Sequence, residues 1–314
     1  MYDSGEEYIV SRVVVFWDTT FPFVDTCPIE RQNLESAMDG CQATFASADT
    51  LAQALASGPD VFINPYGSAF PKSLWPSIKA YLIKGGNWVN LGGMPFYRPV
   101  RRQGEEWTAE CPQVCYSKEL GINQFAPVEI TNLDWGWSVP DNLPEADVLG
   151  GQITEAWSLQ IRFAEGKEYP DETGSTDMRL AGIKRILEGR RDDRLLAAPI
   201  VEIHRWNGAC APGRWVLANA NFTQPLPPEV IQALVQRASL GSIELRLRPG
   251  FACYYPGEKP TLTAYANAPK IREKLIIKIQ PKTPENIPPL HSVERGVPPL
   301  RLRSPRPFQA RRGG

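Results

Sequence analysis

The chain has 314 residues, 42% of them apolar, enough to bury a core in one large domain or two modest ones. Its 34 basic and 35 acidic residues leave a net charge of −1. That balance gives no electrostatic reason to expect a nucleic acid or an anionic membrane as partner. No apolar run approaches the roughly 18 residues of a membrane span, and the acidic start MYDSGEEYIV does not read as a signal peptide. Six scattered cysteines lack the density of a disulfide framework, so a reducing, cytoplasmic setting is expected.

Strand and helix are predicted to alternate over the first hundred residues. The run from Arg12 to Trp17 is apolar on both faces, as a central parallel strand is. A helix follows, with Pro28 in its first turn, Leu34, Ala37 and Met38 on its apolar face and Gly40 as its stop. Gln42 to Ala46 reads as a second strand, and Asp49 as the cap of a helix carrying Leu51 and Leu55 and stopped at Gly58. Asp60 to Asn64 is a third strand. Ser73 is read as the cap of a helix with Leu74, Ile78, Tyr81 and Leu82 on one face, ended by Gly85-Gly86 before a fourth strand, Asn87 to Leu91. This alternation predicts an α/β fold with a doubly wound parallel sheet.

Residues 98–169 are rich in Trp, Pro, Asn and Gly without a sustained period, and are read as long loops with short strands. A β-hairpin is expected from Pro199–Trp206 and Arg214–Asn219, then a helix from Pro227-Pro228 to Gly241. Alternation at Ile243, Leu245 and Leu247, with further strands at Thr261–Tyr265 and Lys274–Ile279 around a turn at Pro256–Pro260, reads as the beginning of a β-sandwich. Residues 281–314 carry eight prolines and seven basic against two acidic residues, leaving the rest of the chain at −6, and are expected to be a disordered basic tail. The resulting division is 1–241, an α/β domain with the hairpin as an insertion; 242–280, a partial sandwich; and 281–314, the tail.

Ligands of doubly wound sheets sit beyond the carboxyl ends of the strands, where strand order reverses. Three turns end there: Trp17 and Asp18 after the first strand, Asn64, Tyr66, Gly67 and Ser68 after the third, and Gly92, Gly93 and Phe96 after the fourth. Their amides and hydroxyl suit a sugar hydroxyl or carboxylate, and their aromatic rings suit an apolar ring face. The competing reading makes the glycines tight turns and the aromatics caps on the core. Arg162 to Arg179 forms a loop dense in ionisable groups, read as solvated rather than as paired catalytic carboxylates.

The run PDVFINPYGSAFPKSLWPSIKAYLIKGGNWVNLGGMPF resembles the class I glutamine amidotransferase-like fold, in the non-enzymatic form of trehalose-utilisation proteins and of β-galactosidase trimerisation domains. The resemblance covers residues 12 to about 100, with looser echoes at 116–120 and 162–177. It implies a flavodoxin-like sheet and the company of a sugar enzyme. An active amidotransferase needs a cysteine on a sharp strand-to-helix turn and a histidine to take its proton. No cysteine here stands in a G-x-C-x-G setting, and the two histidines are His291 in the tail and His204, mid-strand beside Glu202 and expected to be structural. Cys111 and Cys115 lack the further ligands a zinc site needs, so neither metal nor cofactor is expected.

These readings favour a non-catalytic accessory or assembly region of a carbohydrate-active enzyme. Its expected partners are a carbohydrate and either a second copy of the chain or a downstream catalytic domain. A stand-alone small-molecule hydrolase or amidotransferase, or a sugar-binding protein, is the alternative.

Overall fold

The computed structural model describes residues 11–139, 143–161, 181–250 and 262–267, all of them before the division of the chain at Arg272. In chain order the first elements are β1 (Arg12–Phe16), α1 (Arg31–Ala37), β2 (Gln42–Ala46), α2 (Leu51–Ala56), β3 (Val61–Asn64), β4 (Ala69–Pro71), a 3-10 turn at Lys72–Leu74, α3 (Trp75–Ile83) and β5 (Asn87–Leu91). Next come β6 (Arg98–Gln103), β7 (Glu106–Ala109), α4 (Cys115–Lys118), β8 (Ile122–Pro127), β9 (Asp134–Trp137), α5 (Ala146–Gly150) and β10 (Ile153–Ile161). The last are β11 (Ala181–Arg191), β12 (Arg194–Arg205), β13 (Arg214–Ala218), β14 (Ala220–Phe222), α6 (Pro228–Ser239), β15 (Glu244–Pro249) and β16 (Leu262–Asn267).

Eight of these strands form a central sheet in the order β2-β1-β3-β5-β13-β12-β11-β9. The first five run parallel, and the last three are joined antiparallel. Apolar runs in β1, β3, β5 and β13 follow from burial on both faces. On one face Phe16, Phe62, Trp88 and Trp215 pack with Leu51 and Leu55 of α2 and Ile78 and Leu82 of α3. On the other, Val13, Val15, Ile63, Val89 and Val216 pack with Leu34 of α1 and Ile231 and Leu234 of α6. The protein is thus a mixed α/β fold about a largely parallel sheet. None of the described helices is long and apolar enough to cross a membrane.

Three helix starts differ from the sequence expectation. The helix expected from Pro28 begins at Arg31, with Glu30 as its cap position. Thr50 precedes α2, while Asp49 gives its carboxylate to Arg102 at 2.9 Å. Ser73 lies in the 3-10 turn and caps nothing; α3 instead starts with a proline in its first turn, where the missing N–H has no intrahelical partner to lose.

Residues 98–161 hold regular strands where loops with short strands were expected. Strand β10 is nine residues long and pairs with β8 on one side and β14 on the other. Register shifts on both sides break its alternation, which hides a strand from a period-two reading. The hairpin of β12 and β13 forms with Ile200 opposite Ala218 and His204 opposite Arg214, and β13 then continues the sheet in parallel beside β5. Strands β15 and β16 pair antiparallel as a separate two-stranded sheet. The turn at 256–260, the strand expected at 274–279, the ionisable loop at 162–179 and the tail at 281–314 lie outside the described residues.

Candidate functional site

Each of the three predicted turns leaves the carboxyl end of a parallel strand, and the fold brings them together. Asn64, the last residue of β3, is 1% exposed. Its Nδ2 donates to the carbonyls of Gly67 and Ala69 at 3.1 Å each and to Asn90 Oδ1 at 3.0 Å, while its Oδ1 accepts from Tyr66 N. Asn90 in turn donates to the Gly92 carbonyl at 2.6 Å. An Asn here is a local answer to backbone groups that a strand end leaves unpaired.

Tyr66 turns inward beneath the loop that follows β1. Its hydroxyl donates to the Asp18 carbonyl at 2.8 Å and accepts from Asp18 N at 3.0 Å. Burial pushes the phenol up to about 12, so it stays a neutral bridge at any ordinary pH. Phe21 and Phe23 from that loop sit on its ring, with centroids 4.8 and 4.6 Å away, and Trp17 stacks beside it at 6.2 Å. Burial works against the charge of the Asp18 carboxylate. Bonds from Thr20 and from Ala48 N nevertheless hold it below the usual carboxylate value.

The same loop carries Asp25, whose carboxylate accepts from Ser68 Oγ and from Ser68 N. Burial raises the Asp25 carboxyl above its ordinary value despite these bonds. At Gly92, with φ +107°, an added Cβ would lie 2.5 Å from Thr26 Oγ1 of the loop; at Gly93, with φ +63°, it would lie 2.6 Å from Ser68 N. The three turns are therefore packed directly on one another. Phe96 is fully buried and stacks on Trp88 at 4.4 Å.

Of the nine predicted residues, Trp17 and Asp18 keep partial exposure, and the other seven are buried. The Trp17 indole nitrogen is closed off from solvent without an acceptor. Side-chain donors and acceptors of Asn64, Tyr66 and Ser68 are engaged within the protein, and Gly93 N donates to the Ala220 carbonyl at 3.0 Å. The arrangement is chemically a rigid lattice, with the loop after β1 seated where strand order reverses.

His204 is fully buried in a second polar cluster. Its Nδ1 accepts from Ile243 N at 2.9 Å, which leaves Nε2 to carry the proton and donate to Glu202 Oε1 at 3.1 Å. The other Glu202 oxygen accepts from Arg214 and from Arg237 Nε. Burial lowers the basicity of His204. Burial alone would raise Glu202, but the bonds from His204 and Arg214 hold it far below the carboxylate range. Among the thiols, burial raises those of Cys210 and Cys41, while Cys111 and Cys115 are exposed. No group of three or more metal-ligating side chains occurs among the described residues.

Two clefts open elsewhere. One of about 340 Å³ lies between α2 and α3, lined by Leu55, Tyr81 and Lys84. The other, of about 260 Å³, lies between β10 and the β11–β12 pair and reaches Asn219, directly after β13. In sequence Asn219 reads only as the end of a strand. Like Asn64, it is a polar amide that closes an apolar central strand.

No family model matches the sequence, and no curated protein sequence matches it. Among solved structures the chain is similar to Gan42B, a GH42 β-galactosidase, with TM-score 0.40 and 8% identity over 76% of this chain and 32% of that one. It is also similar to a β-galactosidase from Bacillus circulans sp. alkalophilus, with TM-score 0.36 and 10% identity over 76% of this chain and 34% of that one. The chain spans about a third of the length of these two structures.

Proposed function

We propose that the chain is a non-catalytic accessory or assembly region of a carbohydrate-active enzyme. On this reading residues 1–241 are a flavodoxin-like, amidotransferase-like domain, residues 242–280 open a β-sandwich, and residues 281–314 are a basic tail. The order of the five parallel strands supports the domain assignment: β1 lies between β2 and β3, and β5 and β13 follow outward, with helices on both faces. The antiparallel pairing of β15 and β16 is compatible with a sandwich edge.

The environment of His204 carries the non-catalytic reading. A general base must reach its substrate with one nitrogen free to take a proton. Both ring nitrogens of His204 are bonded inside the fold, and its burial disfavours the protonated form that a relay must visit. The self-satisfied turns at the carboxyl edge fit a scaffold better than a reacting centre, and they leave Trp17 and Asp18 as the groups at the rim of a sugar site. Carbohydrate, and either a second copy of the chain or a catalytic domain, are the partners this role calls for.

Calorimetric titration with galactose, run beside hydrolysis of a nitrophenyl β-galactoside, tests it. Binding without hydrolysis, weakened by Trp17→Ala, is the expected result. Hydrolysis proportional to the chain and lost on Asp18→Asn would overturn it.

A further inference from the structure

Asn219 is 1% exposed, and neither its side-chain nitrogen nor its side-chain oxygen has a hydrogen-bond partner. An unpaired buried amide is costly to a fold, and at Asn219 both the donor and the acceptor of the side chain are left without a partner. Its backbone is firmly placed: its N donates to the Pro199 carbonyl at 2.6 Å and its carbonyl accepts from Trp157 N at 3.0 Å. Along β13, Trp215 and Leu217 belong to the core face shared with Ile161 and Val201, and the alternation of the strand puts Asn219 on that face too. It thus lines the 260 Å³ cleft together with Leu159, Ile161, Ile183, Leu196 and Val201.

Two other polar side chains of the cleft are already committed. Ser158 Oγ donates to the Ala126 carbonyl at 3.3 Å, and the Arg185 guanidinium donates to Glu188 at 2.6 Å. Ile183 and Leu196 are 43% and 38% exposed, so the cleft presents large apolar side chains to its opening. A concave, mostly apolar lining with a buried, unpaired amide describes a small-ligand pocket. It also lies beyond the carboxyl end of a parallel strand, as such pockets do in α/β sheets.

We infer that this cleft binds a small, mostly apolar molecule whose polar end both donates and accepts a hydrogen bond, with the Asn219 amide as its partner. A carboxamide is the simplest complement, because it offers the Asn amide an acceptor and a donor side by side. The apolar body would rest on Leu159, Ile161 and Val201. This site is separate from the turns after β1, β3 and β5, and it stands or falls without the accessory role.

The test uses the full chain, isotope-labelled for NMR, with benzamide and toluene as probes. Benzamide is expected to shift the Trp157 indole and Asn219 side-chain signals saturably, and toluene to bind about tenfold more weakly, the equivalent of one hydrogen bond. Asn219→Leu should abolish that preference while leaving the unfolding midpoint unchanged or higher, since no intramolecular bond is lost. Ala198→Phe, which fills the cleft from β12, should block both probes and serves if the first variant does not fold. Absence of saturable shifts, equal binding of the two probes, undiminished preference in Asn219→Leu, or undiminished benzamide binding in Ala198→Phe would each overturn the inference.

Discussion

Asn64 and Asn90 are register partners on the parallel strands β3 and β5, and their side chains are joined by a 3.0 Å hydrogen bond from Asn64 Nδ2 to Asn90 Oδ1. The bond ties the two strands through their side chains at the end where the backbone ladder stops. Substituting Asn64→Leu keeps the branched shape but leaves Asn90 Oδ1 and the Gly67 and Ala69 carbonyls short of a donor. A loss of about 2–4 kcal/mol is expected, measured as a lower denaturant midpoint at unchanged slope.

The close approach of the turns gives a second expectation. Gly93→Ala adds a Cβ 2.6 Å from Ser68 N at a residue with φ +63°, and that neighbour is backbone, which cannot swing aside. The combined steric and conformational cost should be at least about 2 kcal/mol. Thermal unfolding of the variant checks this.

The Glu202 cluster sets the acid limit of stability. His204 binds its proton less readily in the fold than the 6.5 of a free imidazole, so the unfolded chain takes up more protons just below that pH and stability falls as the pH drops. Glu202, depressed from 4.5, contributes stability that is complete above 4.5 and is lost as the pH falls through its folded value. Both act in the same direction. The unfolding midpoint should decline between about pH 7 and about pH 5, and His204→Gln should flatten that decline. Glu202→Gln removes the buried charge to which both Arg214 and Arg237 donate, at a cost of about 3–5 kcal/mol.

Asp25 behaves in the opposite sense. Its folded carboxyl is raised above 3.8, so its contribution is present below that pH and is lost as the pH rises through the folded value. Asp25→Asn keeps an acceptor for Ser68 and removes the buried charge. The variant should be more stable than the wild type at neutral pH, and the difference should shrink on acidification; equilibrium unfolding at both pH values measures it.

The alternating first hundred residues were legible because each central strand is buried on both faces and each helix has one apolar stripe. Val13 to Phe16 and Leu34 with Ala37 show this in sequence as clearly as in space. Strand β11 was not legible: its burial runs irregularly and its pairing with β12 shifts register three times, so no period of two survives in the residue order. The turns after β1, β3 and β5 follow from strand order, which residue order carries, and they meet at the carboxyl edge of the sheet. Residue order does not reveal whether a polar side chain at a strand end is bonded to its neighbours, as in Asn64, or left unpaired, as in Asn219, because that depends on the folded course of the turn and on the strand beside it.

Ammonia release from glutamine by the purified chain tests the non-catalytic account most directly. With His204 locked between Glu202 and Ile243 N and the thiols of Cys210 and Cys41 raised by burial, release should not exceed that of a buffer control. Ammonia release that scales with the chain and disappears on replacing any single cysteine with alanine would contradict it.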